Sequence, residues 1–197
     1  MHVEPVVLSG AIVRLEPLTL AHVPALVQVG LDPELWRWIP QPVTSAAQMQ
    51  RYVEDALALQ ARGAALPFAI ADTASGQAIG STRYAAIEPM HRRLEIGWTW
   101  LARSHQRSGA NTEAKLLLLG HAFETLGAYR VEIKTDVLNE QSRRAIERLG
   151  AVQEGIFRRH VVTSTGRVRD TVYYSILDSE WPAVRARLRS ALQRGPA

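Results

Sequence analysis

Cysteine is absent from this 197-residue chain, which excludes disulfides, thiolate nucleophiles and cysteine-built metal centres. Long apolar runs are missing as well, and nothing approaches the roughly 18 residues that span a bilayer. The start, Met-His-Val-Glu-Pro, lacks the basic opening and apolar stretch of a secretion signal. A cytoplasmic location is the expectation. Three catalytic signatures are also missing: His-Glu-x-x-His, Gly-x-Ser-x-Gly and the Walker loop. Hydrolase and NTPase readings therefore lose their defining geometry. Glu88-x-x-His91 has helical metal spacing, but Pro89 inside it argues for a turn, and no metal is expected.

What is present is ordinary for a globular protein. Apolar residues make up 47% and charged residues 21%, enough for a substantial core in a single domain over residues 1–197. The net charge of +4 fits an anionic ligand without requiring one. Much of the excess sits in a closing amphipathic helix, about residues 179–192, where Arg185, Arg187 and Arg189 read as a solvated face. No recognised module or aromatic stacking pattern accompanies this charge, which disfavours nucleic acid.

Hydrophobic periodicity orders the chain. Alternation over residues 11–18 predicts a strand, followed by helices at 19–29 and from Thr44 or Ser45 to residue 61, with a short turn of helix at Asp32-Pro33 between them. Strands follow at 66–71, 78–87 and 93–101, then a helix at 112–126, a strand at 130–136 and a helix from Asn139 to residue 149. A long hairpin, 152–162 with 168–177, precedes the last helix. The central strand-helix-strand unit makes its two strands parallel, joined by a right-handed crossover. Meanders on either side make the sheet mixed. Ligands in such sheets bind beyond the carboxyl ends of the parallel strands, at the helix N-terminus.

That rule points to residues 103–127, where a basic, glycine-bearing turn feeds the most apolar helix. Asn111 is expected to cap it, Gly109 to let backbone approach a ligand, and Arg103 and Arg107 to add charge. Together they suit a pyrophosphate. A plain helix start needing a cap and a glycine would use the same residues.

Order and motifs together resemble the GCN5-related N-acetyltransferase (GNAT) superfamily, in its RimJ/RimL-type branch, over about residues 7–188. Glu95-Ile-Gly-Trp-Thr-Trp-Leu101 looks like the family's splayed central strand, and Gln106 to Lys115 like its pyrophosphate loop and helix. Asn139 to Ala151 is similar to its second cofactor motif. Asn111 departs from the usual pattern by standing where that loop ends on a small residue. The resemblance implies an α+β fold with a mixed sheet of about seven strands, V-shaped between its two central parallel strands. It also implies acetyl-CoA as donor and an amine acceptor, either a peptide N-terminus or a small molecule. A sensor that binds acyl-CoA without turnover would keep the same cradle. No membrane partner is expected, and a homodimer is compatible.

Carried onto this sequence, the resemblance puts the cofactor on Ile96, Gly97, Trp98, Arg103, Gln106, Arg107, Ser108, Gly109, Ala110, Asn111, Thr112 and Asn139. It makes Ser142 the acid that protonates the leaving thiolate, although Asn139 and Ser142 also suit a plain helix cap. Glu95 is the carboxylate placed for general base work through water, unless it is a surface or ion-paired glutamate. Gly97 fits a close backbone approach or a structural bulge. Trp36, Trp38, Arg83, Tyr84 and Tyr174 are candidates to line the acceptor pocket, though aromatics there serve a core equally well. The basic hairpin bearing Arg158, Arg159, His160, Arg167 and Arg169 faces either an acidic acceptor or solvent.

Overall fold

The computed structural model describes residues 1–194. The strands are β1 (Leu8–Ser9), β2 (Val13–Pro17), β3 (Leu66–Asp72), β4 (Ala78–Glu88), β5 (Arg93–Leu101), β6 (Arg130–Asp136), β7 (Val152–Val162) and β8 (Val168–Leu177). They form one sheet in the order β1-β2-β3-β4-β5-β6-β8-β7. Eight strands stand where about seven were expected because β1, two residues pairing with Arg14 and Leu15, is too short to show periodicity.

Helices cover both faces. On one side lie α1 (Val23–Gly30), α2 (Pro33–Trp36) and α3 (Ala46–Ala61), over a core of Trp36, Met49, Tyr52, Val53 and Trp100. The expected helix at 19–29 splits into a tight turn, Leu20–His22, and α1, because Pro24 suits only a first turn. On the other side lie α4 (Ala110–Gly120), α5 (Glu140–Leu149) and α6 (Trp181–Arg194), packed on Leu94, Ile96, Val131, Ile133 and Val172. The end of α4 widens into a π turn, His121–Thr125.

Among the described residues only β5 and β6 run parallel, and they pair at just three positions: Arg93 with Arg130, Leu94 with Val131, and Glu95 with Glu132. Beyond Glu95 the two strands part. β5 meanwhile stays paired with β4 as far as Leu101 opposite Gly80. A bulge bends it there: Arg83 faces Gly97 and Ser81 faces Trp100, so Trp98 and Thr99 together oppose Thr82. The left-handed residue of this bulge is Trp98, at φ 54°, and not the neighbouring glycine. Gly97 serves a different need. A Cβ there would lie 2.7 Å from Glu95 Oε1, so its absence leaves room for the glutamate side chain.

Candidate active site

Both arms of the V lead directly into helices. β5 passes through the turn Arg103–His105 into α4, and β6 passes through Val137 into α5. Two helix N-termini, with the positive ends of their dipoles, therefore stand at the open end of the splay.

On the α4 side, the Gln106 amide donates to the Leu101 carbonyl at 3.1 Å and fixes the turn against β5. The Ser108 hydroxyl donates to the His105 carbonyl at 2.7 Å and accepts from the Ala110 N–H at 3.2 Å. Arg107 takes the left-handed conformation, φ 58°, that reverses the chain. Gly109 then occupies the cap position, its carbonyl accepting from the Glu113 N–H at 2.8 Å. The expectation that Asn111 caps the helix is thus corrected. Ser108 takes the first N–H, the helix starts earlier, and Asn111 falls inside its first turn. Among the described residues the N–H groups of Asn111 and Thr112 keep no acceptor, the state in which a helix start receives an anion. Arg107 is exposed beside them, whereas Arg103 is held by Asp32, Nε to Oδ2 2.6 Å.

On the α5 side, Asn139 caps the helix by accepting the Ser142 N–H at 3.1 Å. The Ser142 side chain is half-buried, and its hydroxyl has no protein partner among the described residues. Arg143 braces the turn, donating to the Val137 carbonyl and the Tyr174 hydroxyl, each at 3.3 Å.

Glu95 points to the face that carries α1–α3 and forms an ion pair with Lys134 at 2.8 Å, across the point where the strands separate. Burial pulls Lys134 down, but the Glu95 charge and hydrogen bond, with Tyr173, outweigh it and hold the ammonium above its ordinary range. Strand alternation would have placed Lys134 beside Glu95 once the parallel register was known.

The five acceptor-pocket candidates separate. Tyr84 and Tyr174, both wholly buried, lie on the opposite face, donating to the Leu118 carbonyl at 2.6 Å and to Glu147 at 3.0 Å. They cannot line a pocket on the Glu95 side, because their strand positions alternate away from it. Trp36 donates to the Gly30 carbonyl at 2.7 Å and fills the core against Tyr52 and Trp100. Arg83 and Trp38 remain on the Glu95 side. Trp38 belongs to a loop tied to the β7–β8 hairpin: Ser164 N–H donates to the Pro40 carbonyl at 2.9 Å, Arg169 reaches the Trp38 carbonyl, and Arg167 lies over its ring. An open cleft of about 470 Å³ continues along this face, lined by Arg93, Lys134, Phe157 and Tyr173 among others.

Two charged residues of α4 gave no signal as site or scaffold in the sequence. Glu113 accepts the N–H groups of Ala11, Ile12 and Val13 at 3.0, 2.7 and 2.7 Å, clamping β2 to the start of α4. Lys115 is buried, donates to Thr99 Oγ1 at 2.8 Å, and is lowered to about 7 by burial.

A parted parallel pair with a helix N-terminus on each arm defines a mixed-sheet architecture open to an anionic ligand, and the chain belongs to the acetyltransferase (GNAT) domain family, whose profile matches residues 13–152. It is an acetyltransferase enzyme of the RimJ/RimL-like kind. It is 37% identical over 106 residues to YdaF of Bacillus subtilis, whose name provisionally gives it ribosomal N-acetyltransferase activity. That match covers 54% of this chain and 57% of YdaF, so the chain spans little more than half of that relative's length. A GCN5-related N-acetyltransferase from Brucella melitensis superposes with a TM-score of 0.89 at 34% identity, covering 96% of this chain and 86% of that one. An acetyltransferase from Salmonella typhimurium, described as modifying the N-terminal serine of 50S ribosomal subunit protein L7/L12, superposes at 0.76. It is 25% identical, with 87% of this chain and 99% of that one covered.

Proposed function

We propose that this enzyme transfers the acetyl group of acetyl-CoA to a primary amine, and that the amine is a protein or peptide N-terminus. The whole described chain acts as one catalytic domain, in the cytoplasm. The observation that carries the reading is the parting of β5 and β6 after Glu95 and Glu132, with the unpartnered N–H groups of Asn111 and Thr112 at its open end. In this reading the N–H groups of the α4 start, with Ser108, Gly109, Ala110 and the Arg107 charge, hold the pyrophosphate. Gln106 keeps the loop in place, and Arg103 contributes when it exchanges Asp32 for phosphate. The freed backbone of Ile96, Gly97 and Trp98 receives the pantetheine arm and the acetyl carbonyl.

The neutral amine attacks the thioester carbon directly, forming the C–N bond as the C–S bond breaks. Glu95 accepts the proton shed by the amine, through water. Ser142 gives a proton to the departing thiolate, with Asn139 fixing the turn that presents it. The N-terminal-serine activity described for the Salmonella relative favours a peptide acceptor. A second reading, a small-molecule amine, is favoured by the Trp38–Pro40 loop, which is tied to the β7–β8 hairpin beside Arg169. Incubation with acetyl-CoA and a panel of free-N-terminus peptides and small amines, followed by thiol release and product mass, tests both. Acetylated peptides support the main reading, and acetylation of small amines alone replaces it with the second.

A further inference from the structure

Arg83 is 3% exposed, yet it forms no ion pair and no side-chain hydrogen bond with any described residue. Its guanidinium lies between two aromatic rings, 5.1 Å from the centroid of Tyr52 and 4.7 Å from that of Trp98. Ring faces attract a cation, and the guanidinium nitrogens keep a remnant of solvent access, so the charge opens onto the acceptor face with no anion among the described residues to match it. No carboxylate among the described residues answers it: Glu95 is engaged with Lys134, and Asp136 with Arg167 and Arg169.

The position is as telling as the missing partner. Arg83 stands opposite Gly97 in the β4–β5 ladder, so its side chain shares the face of Glu95, beside the backbone assigned to the acetyl group. Across the splay, β8 adds a second underpaired set on that face. Among the described residues, Arg169, 9% exposed, has an unpartnered Nε, and the Thr171 hydroxyl, buried two residues on, has no partner. The nearest carboxylate oxygen to that Nε, Asp136 Oδ2, is 3.9 Å away and already takes Arg167.

We infer that the acceptor carries a carboxylate within a few bonds of its amine, and that Arg83 binds it and selects for it. The inference rests on the acetyl-transfer reading above and names the substrate class of that site. The guanidinium fork suits a carboxylate in two-point contact, and its fixed place beside Gly97 sets the amine against the thioester. The carboxylate has two sources: the side chain of an acidic residue at a peptide N-terminus, or the free carboxyl group of an amino acid.

The test compares isosteric acids and amides as acceptors for the intact protein with acetyl-CoA. One arm uses peptides beginning with Asp or Glu against the same peptides beginning with Asn or Gln. The other uses free amino acids against their amides. A site with a buried donor left unpaired by the wrong substrate discriminates strongly, so kcat/KM is expected to favour the acid by about tenfold or more in one arm. Arg83→Gln should bring that ratio near one and Arg83→Lys should retain part of it, with the acetyl-CoA thermal shift reporting that each variant is folded. The wild-type comparison needs no variant at all. Equal rates on acids and amides overturn the inference while acetyl transfer stands, as does an unchanged ratio in folded Arg83→Gln. No turnover of any amine removes the transfer reading and this inference with it.

Discussion

Lys134 Nζ and Glu95 Oε2 lie 2.8 Å apart across the two strands at the point where they cease to pair. The contact joins the arms of the V at its apex and fixes the direction of the carboxylate. Gly97, two residues on, leaves that carboxylate the space a Cβ would take, 2.7 Å from Oε1. The ion pair is one of the two roles the sequence left open for Glu95, and the proposed proton transfer through water is a second role the same carboxylate has to serve.

Glu95→Gln and Ser142→Ala are each expected to lower kcat by at least about tenfold, since positioned proton transfer contributes on the order of 10²–10⁴-fold. Both variants should melt cooperatively and still gain stability with acetyl-CoA. Steady-state thiol release checks this, and wild-type turnover in either variant removes that residue from the mechanism.

Glu113 holds the start of β2 through three backbone N–H donors. Gly10 lets it in, since a Cβ there would sit 2.3 Å from Glu113 Oε2. Glu113→Ala strands those donors at a cost of about 3 kcal/mol. At about 2–4 °C per kcal/mol, Tm should fall by roughly 6–12 °C. An unchanged melting temperature would contradict the clamp.

Lys115 gives stability a pH dependence of defined sign. Burial lowers it to about 7 from an ordinary 10.5, so between those values the unfolded chain holds a proton that the folded chain has released. Unfolding then takes up a proton, and stability rises with pH across that window. Below about pH 7 both states hold the proton and the penalty of the buried cation is complete. Lys115→Met should therefore be more stable than wild type near neutral pH, with an advantage that shrinks as pH rises through the window. Parallel denaturant titrations check this, and a difference constant with pH would count against it.

Much of this was legible in the sequence. β5 was read to the residue because apolar and polar positions alternate over it, and the Asn139 cap because its spacing to Ser142 suits one turn of helix. Three features were not. The bulge places a left-handed conformation on Trp98, which a bulky residue seldom adopts, whereas sequence preference for such a conformation points to Gly97 beside it. The cap passed to Gly109 because the Ser108 hydroxyl captures the first N–H, a choice settled by the turn and not by cap preference. Alternation divides a strand into two faces without saying which faces the acceptor, and this is why Tyr84 and Tyr174 stood beside Arg83 as equals. Long-range partners such as Glu113 for β2, about 100 residues apart, leave no local pattern.

Acetyl-CoA binding tests the central claim most directly. At about 100 times its Kd, one bound acetyl-CoA adds roughly 2.7 kcal/mol to the folded state. For a chain of this size Tm should rise by roughly 5–10 °C in a thermal-unfolding series. Stabilisation that grows with the logarithm of acetyl-CoA concentration, and is weakened when Arg107 is replaced by alanine, is the predicted result. A melting temperature that does not move with acetyl-CoA would contradict the account.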